Sequence, residues 1–431
     1  MRDFVKILTN QKEELRKLMA EPDIIERAPA SSIDLDSPVA QIVTGIRRCG
    51  KSVLCRLALG RAGKPFGYID FDDEALDGIE ASDLNNLFEA ALVVYGPFDI
   101  LYLDEIQDVP SWELFVNRLL RRRIHLVITG SNSKLLFSDL ATHLTGRFVP
   151  IELNPFSFAE YRRYLRREDS GGSEWRAELR RDFDDYFRDG GFPETFHLAD
   201  KRGYFKALYD SILIRDILRR HKVRNPKLLA DVAFAAMSSH ACEVSALRLA
   251  NQLSAVSANT IQNYLLFLAE SRLVDLVPRF GRKAWEKTRL GKIYAADNGL
   301  ISYFTGRTDS EEGLGRRLEN LVFCQLRSRR DELDYEVFYH KTQSYEIDFV
   351  IERLRRPVRL VQVAYDISNP KTRERELSPL FAAGQTLNCP DLLLVTDHEN
   401  GEETRGGLRV RIVDAPTWLL ENDRERPSAN D

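Results

Sequence analysis

Cysteine, histidine and long apolar runs are what this chain has little of. Its five cysteines (Cys49, Cys55, Cys242, Cys324 and Cys389) are odd in number, scattered and without metal-ligand spacing. That excludes a disulfide scaffold and a cysteine-built zinc site, and fits free thiols in a reducing compartment. The seven histidines form no cluster; only His340 falls near acidic positions considered below, and it reads as a structural polar side chain. No apolar run approaches the ~18 residues that cross a bilayer. The opening MRDFVKILTNQKEELRKLM is too charged for a signal peptide and has the spacing of an amphipathic helix. The expectation is a soluble, cytoplasmic protein with no membrane partner. Charge of one sign is lacking too: 62 basic against 66 acidic residues leave a net charge of −4, so a nucleic-acid contact would need a local patch. There is no internal repeat and no low-complexity block.

What is present is a globular composition, 43% hydrophobic, over 431 residues, too long for one ordinary core. From residue 41 to about 165 strands and helices alternate. QIVTG, FGYIDFD, DILYLDE and HLVITGSN read as buried strands, and SVLCRLALG, NNLFEAALVVYG and WELFVNRLLRRR as the helices between them. Continuous apolar strands alternating with helices predict a parallel sheet covered on both faces. DSGGSEWR is the most linker-like interior stretch.

TGIRRCGKSV, residues 44–53, has the form GxxxxGK[ST] between a strand and a helix, the context in which a loop of backbone N–H groups cradles phosphate. Gly45 and Gly50 give the tight turn, Lys51 reaches the β- and γ-phosphates, and Ser52 offers its hydroxyl to Mg²⁺. Ile46, Arg47, Arg48, Cys49 and Val53 complete the nucleotide-binding stretch; Arg47 and Arg48 would touch phosphate or face solvent. ILYLDE ends in Asp104, expected in the Mg²⁺ shell, and Glu105, expected to polarise the attacking water. VITGSN ends in Ser131 and Asn132, where a side chain could sense the γ-phosphate. Arg147, in HLTGRFVP, could neutralise charge on that phosphate in its own chain or a neighbour's, or simply pair with an acid. Asp70, Asp72 and Asp73 read as a solvated strand end. ATP and Mg²⁺ are therefore the expected ligands.

Residues 175–235 read as helical with a GGFPE turn at 190–194. Beyond 240 the order helix, turn, helix, strand pair is that of a winged helix-turn-helix. RFGRKAWEKTRLGK carries Arg279, Arg282, Lys283, Lys287, Arg289 and Lys292 around Trp285 against the single acid Glu286, a basic wing suited to the DNA backbone. RRHKVRNPK at 219–227 adds positive charge. Asn259, Thr260 and Asn263 would then face bases. The alternatives are a protein-docking module and a charge run that faces water.

GIRRCGKS, LYLDEIQDVPSWE, VITGSNSKLL, LTGRFVPIELNPFSFAEY and GGFPE together resemble the bacterial and archaeal AAA-type ATP-binding proteins of the AAA_14 group, which are joined to a C-terminal DUF4143 domain. The resemblance runs from about residue 40 to 395. It implies a P-loop AAA+ parallel-sheet core, a helical and winged-helix middle, and a C-terminal α/β domain like the PD-(D/E)XK nucleases. The divisions expected are an N-terminal helical segment at 1–35, the ATP-binding domain at 36–170, a helical, lid-like linker region at 171–235, the winged helix at 236–305, a degenerate nuclease-like domain at 306–420 and a polar, disordered tail that frays at 421–431. A nuclease of that kind needs a helix glutamate, a strand aspartate and an acid-x-lysine on the next strand. Glu319 and Asp348 fill the first two positions, but Gln362 stands for the acid and Ala364 for the lysine. Lys341 could substitute only from a different backbone position. Burying the Gln362 amide unpaired would cost a few kcal/mol, so it should meet a partner, Asp348 or Glu319.

The expectation is an Mg-ATP-binding protein with weak or regulated ATP hydrolysis whose nucleotide state controls the winged-helix and nuclease-like modules, on double-stranded DNA and as a homo-oligomer in one version. The rival functions are an ATP-gated DNA nuclease and a STAND-like switch that assembles on ATP binding and cuts nothing.

Overall fold

The computed structural model describes residues 2–20, 25, 27, 32–130, 146–168, 170–254, 257–281, 290–306 and 310–424. They divide into two units, Met1–Asn154 with Glu270–Arg272, and Pro155–Ala269 with Leu273–Asp431.

In the first unit Ala40–Thr44 (β1), Phe66–Asp70 (β2), Ile100–Asp104 (β3), His125–Gly130 (β4) and Phe148–Glu152 (β5) form a sheet of order β2-β3-β4-β1-β5. Every pairing is parallel. β1 and β3 are buried along their whole length, as strands covered on both faces must be. β4 lies between β1 and β3, so the carboxyl ends of these three strands lie side by side at the edge of the sheet where open α/β sheets bind ligands. The helices Phe4–Met19 (α1), Lys51–Ala62 (α2), Leu84–Tyr95 (α3) and Trp112–Arg121 (α4) accompany them. α1 is no separate segment. Its Leu8 is fully buried in the core that also holds Ile69, Leu87 and Phe88, which stabilises by about 2 kcal/mol. Its buried Gln11 donates to the Asp70 carbonyl and accepts from the Asp70 N–H, both at 3.0 Å.

The second unit starts at Pro155 and not near 170. The helix Phe158–Tyr164 opens with a Ser157/Glu160 capping box, Phe158 is fully buried in the second unit's core, and Ser157 Oγ donates to Asp423 in the last helix at 3.1 Å. The expected linker DSGGSEWR is mostly helix: Gly172–Asp189 is continuous. Further helices span Lys201–Ser211, Pro226–Ser238, Ala246–Gln252, Ala258–Glu270 and Asn298–Thr305. A three-stranded antiparallel sheet joins Cys242–Glu243 (β6), Lys292–Ala295 (β8) and Val274–Val277 (β7) in that order. The helix Glu311–Leu333 then leads to Glu336–Lys341 (β9), Glu346–Arg353 (β10), Arg356–Ala364 (β11), Asp391–Thr396 (β12), Gly401–Arg405 (β13) and Leu408–Asp414 (β14). These form a mixed sheet of order β13-β14-β12-β11-β10-β9, with helices Pro370–Leu387 and Ala415–Arg424. The β13–β14 hairpin was hidden in charge-rich sequence, and residues 421–424 extend the last helix instead of fraying.

The GGFPE turn has a steric cause. A Cβ on Gly190, whose φ is +77°, would lie 1.8 Å from Asp297 Oδ1. The Gly191 N–H donates to Asp297 Oδ2 at 2.8 Å. Burial pushes the Asp297 carboxyl up to about 6, against the pull of the Gly191 and Gly299 amides.

Candidate functional site

The phosphate loop is built by backbone sterics first. A Cβ on Gly45 would meet the Leu153 carbonyl oxygen at 2.1 Å, so only glycine permits the close approach. Gly50 holds φ +102° at the start of α2, and no side chain caps that helix, which leaves its first N–H groups for an anion. Arg27, a buried residue the motif reading missed, donates to the Cys49 carbonyl and to the Asn154 carbonyl, each at 2.8 Å. Cys49 Sγ donates to the Leu153 carbonyl at 3.3 Å, and burial raises its thiol.

Lys51 folds back over this loop, donating to the Gly45 carbonyl at 3.2 Å and the Ile46 carbonyl at 3.4 Å, with Glu105 Oε1 at 3.6 Å. Ser52 Oγ donates to Asp104 Oδ1 at 3.1 Å. Thr129, fully buried on β4, donates to the same oxygen and accepts from the Glu105 N–H at 3.1 Å. Burial, then the charge of Glu105, raises the Asp104 carboxyl while Thr129, Ser52 and Tyr102 oppose the shift. Glu105 sits at φ +55°, a left-handed conformation rare outside glycine, and Gln107 donates to its Oε2 at 2.6 Å. Residues from three strand ends thus aim at one point, the mouth of the loop. Asp104 and Ser52 suit Mg²⁺, because a buried carboxylate held only by hydroxyls beside a hydroxyl oxygen is a hard-oxygen donor set.

The acids after β2 are not uniformly solvated. Asp70 is half-buried, and burial with the charge of Asp104 pushes its carboxyl up to about 7. Asp72 lies 4.0 Å from Arg47, and Asp73 caps the turn Glu74–Leu76 and accepts from Gln11 at 2.8 Å. Arg48 is exposed at φ +65°. Arg147 lies at the other end of the sheet. Its carbonyl accepts from Ala40 N at 3.0 Å at the start of β1, about 16 Å of strand from the loop, and its side chain is exposed. It does not reach the phosphates of its own chain. Ser131 and Asn132 lie outside the described residues.

In the second unit the structure gathers Glu319 and Asp348 as expected, but around an unexpected cation. Lys292 Nζ is 2.7 Å from Glu346 Oε1, 2.9 Å from Glu319 Oε1 and 3.0 Å from Asp348 Oδ1. It is 3% exposed. Tyr294, two residues along β8 and on the same face, donates to Glu319 at 2.6 Å. A bulge in β10 between Ile347 and Val350 re-aims Asp348, whose Oδ2 accepts from Val363 N at 3.0 Å. Gln362 meets Asp348 as expected, accepting from its backbone N–H at 3.3 Å, and donates to Glu376 at 2.9 Å. Lys341 turns instead to Glu346 and Glu243. Burial and Asp348 push Glu319 up to about 7. The cluster does not fit a metal: one ammonium already meets all three carboxylates.

Lys292 is therefore not a wing charge. Arg279, its counterpart at the other end of the basic run, also turns inward and donates to the Lys341 carbonyl. Arg282, Lys283, Lys287 and Arg289 lie outside the described residues, as do Trp285 and Glu286. Asn259 and Asn263 are exposed on their helix, and Thr260 is tied to Ser257 at 3.0 Å. Of the second run, Arg219, Lys222, Arg224 and Lys227 are exposed.

Comparison with known proteins bears on this arrangement. The AAA domain family model AAA_14 matches residues 37–162. A domain of unknown function, DUF8612, matches residues 180–311, and this replaces the expected DUF4143. The uncharacterized protein MJ1544 of Methanocaldococcus jannaschii is 32% identical over 375 residues, 84% of this chain and 83% of that protein. An uncharacterized protein of Haemophilus influenzae is 31% identical over 90% of this chain and 95% of its own length. The Walker-type ATPase PABY2304 of Pyrococcus abyssi superposes with a TM-score of 0.46 at 17% identity, over 66% of this chain and 96% of that one. The chain belongs to the family of the two uncharacterized relatives, and its first unit is an AAA-type P-loop ATPase fold. No described helix is long and apolar enough to cross a membrane.

Proposed function

Within that family, we propose that this chain binds Mg-ATP and hydrolyses it slowly, and that its nucleotide state controls the second unit. The carrying observation is the convergence of Lys51 and Ser52 after β1, Asp104 and Glu105 at the end of β3 and Thr129 on β4, with Ser52 Oγ 3.1 Å from Asp104. Bound Mg²⁺ would neutralise charge on the β- and γ-phosphates, held by Ser52 and Asp104. Lys51 exchanges its carbonyl partners for phosphate oxygens, and the α2 amides take the β-phosphate. Glu105, freed from Lys51 by that exchange, orients a water and accepts its proton. Arg147, far from its own loop, is assigned to a neighbouring copy in a homo-oligomer, with Ser131 and Asn132 as γ-phosphate sensors.

The divisions of the second unit are read here as a helical region, a winged helix at 236–305 and a nuclease-like domain after it. The exposed Asn259 and Asn263 and the basic runs make double-stranded DNA a candidate partner. The occupied carboxylate cluster favours a switch that cuts nothing over an ATP-gated nuclease. The test is ATP binding and turnover by the full chain, with and without double-stranded DNA. Lys51→Ala should weaken ATP binding by roughly 100-fold or more, since a buried charge-assisted contact is lost. Wild-type binding of ATP no tighter than that of Lys51→Ala would refute the reading.

A further inference from the structure

Three carboxylates around one buried ammonium raise the question of what the site is for. Glu346 and Asp348 reach it from one face of β10, Glu319 from the helix Glu311–Leu333, and Lys292 from β8, an element of the other sheet. All three contacts are 3.0 Å or shorter, and Tyr294 and Val363 N take further carboxylate lone pairs. A hard divalent ion would seek these same oxygens. It would have to expel an ammonium that is nearly inaccessible, and the neighbouring described carboxylate Glu243 already accepts from Tyr339 at 2.8 Å and Lys341 at 3.2 Å. β8 is also fixed at its far end: Asn320 accepts from Ala295 N at 2.7 Å and donates to the Ala295 carbonyl at 3.3 Å.

We propose that Lys292 is the resident cation of this cluster. Its ammonium occupies the place of a divalent metal, closes the nuclease-like site to Mg²⁺ and Mn²⁺, and fastens the three-stranded sheet to the six-stranded one. The acid-to-glutamine and lysine-to-alanine departures at Gln362 and Ala364 belong to the same arrangement. Gln362 bridges Asp348 N and Glu376 without adding charge, so Lys292 is the buried cation of the cluster, with Lys341 on the outer oxygen of Glu346 at 2.8 Å.

The test uses the nucleotide-free full chain and thermal unfolding with millimolar Mn²⁺ or with EDTA. Neither should move the wild-type midpoint by way of this site. Lys292→Met leaves three carboxylates without their cation and should lower the midpoint by roughly 10 °C. Mn²⁺ should restore much of that loss, and Lys292→Met/Asp348→Asn should not respond. Two results would overturn the proposal: a Mn²⁺-dependent rise in the wild type that Asp348→Asn removes, or a Lys292→Met variant whose midpoint is indifferent to Mn²⁺. Should Lys292→Met fail to fold, the wild-type and Asp348→Asn titrations decide alone.

Discussion

Two lysines in this molecule sit among carboxylates, and they do opposite things. Lys51 is 5% exposed, and its partners include two neutral carbonyls and Glu105 at 3.6 Å. Lys292 is as deeply buried, but three carboxylates lie within 3.0 Å. The first ammonium has much to gain from a phosphate; the second has its charge already met. A lysine near acids is thus a site in waiting or a closed one according to how fully it is satisfied. Burial alone does not distinguish the two.

The sharpest way to break this comparison is at Glu105. Glu105→Gln should keep ATP affinity and lower turnover roughly 10²–10³-fold, the range for a lost general base; steady-state turnover beside a binding isotherm checks it. Next is Gly190→Ala, which forces a methyl into the Asp297 carboxylate at a positive φ. It should cost the second unit roughly 3 kcal/mol in urea unfolding while ATP binding by the first unit is unchanged. Thr129→Val removes the hydroxyl that holds Asp104 and the Glu105 amide. Turnover should fall about 10-fold with binding retained, and Thr129→Ser should recover it. The smallest effect concerns pH. Asp70 has a folded pKa of about 7 against 3.8 for the free group, so folding favours its protonated form. Its contribution is fully present below pH 3.8 and is lost as pH rises through about 7. Asp70→Asn should flatten that part of the stability profile and add about 1 kcal/mol at pH 8, a figure discounted for partial solvent screening.

The nucleotide site was legible because its chemistry is local. Gly45, Gly50, Lys51 and Ser52 lie within eight residues, and Asp104 ends an apolar strand whose identity periodicity alone suggests. Thr129 and Arg27 were not legible, since their roles arise from register between strands and from a chain segment whose course carries no motif. Lys292 was misread for a related reason: in sequence it closes a basic run, and only the pairing of β8 turns it inward. Its one signal was alternation, with Lys292 and Tyr294 on the same face of a buried strand as KIYA. The place of Arg147 was not legible either, because proximity in sequence to a strand says nothing of which end of the sheet it occupies.

The central claim is that one lysine site is open to Mg-ATP and the other closed to metal. It is tested most directly by counting Mn²⁺ bound to the full chain with and without ATP. The account predicts about one Mn²⁺ per chain, present only with ATP, lost in Lys51→Ala and indifferent to Asp348→Asn. A Mn²⁺ bound without ATP and lost in Asp348→Asn would contradict it.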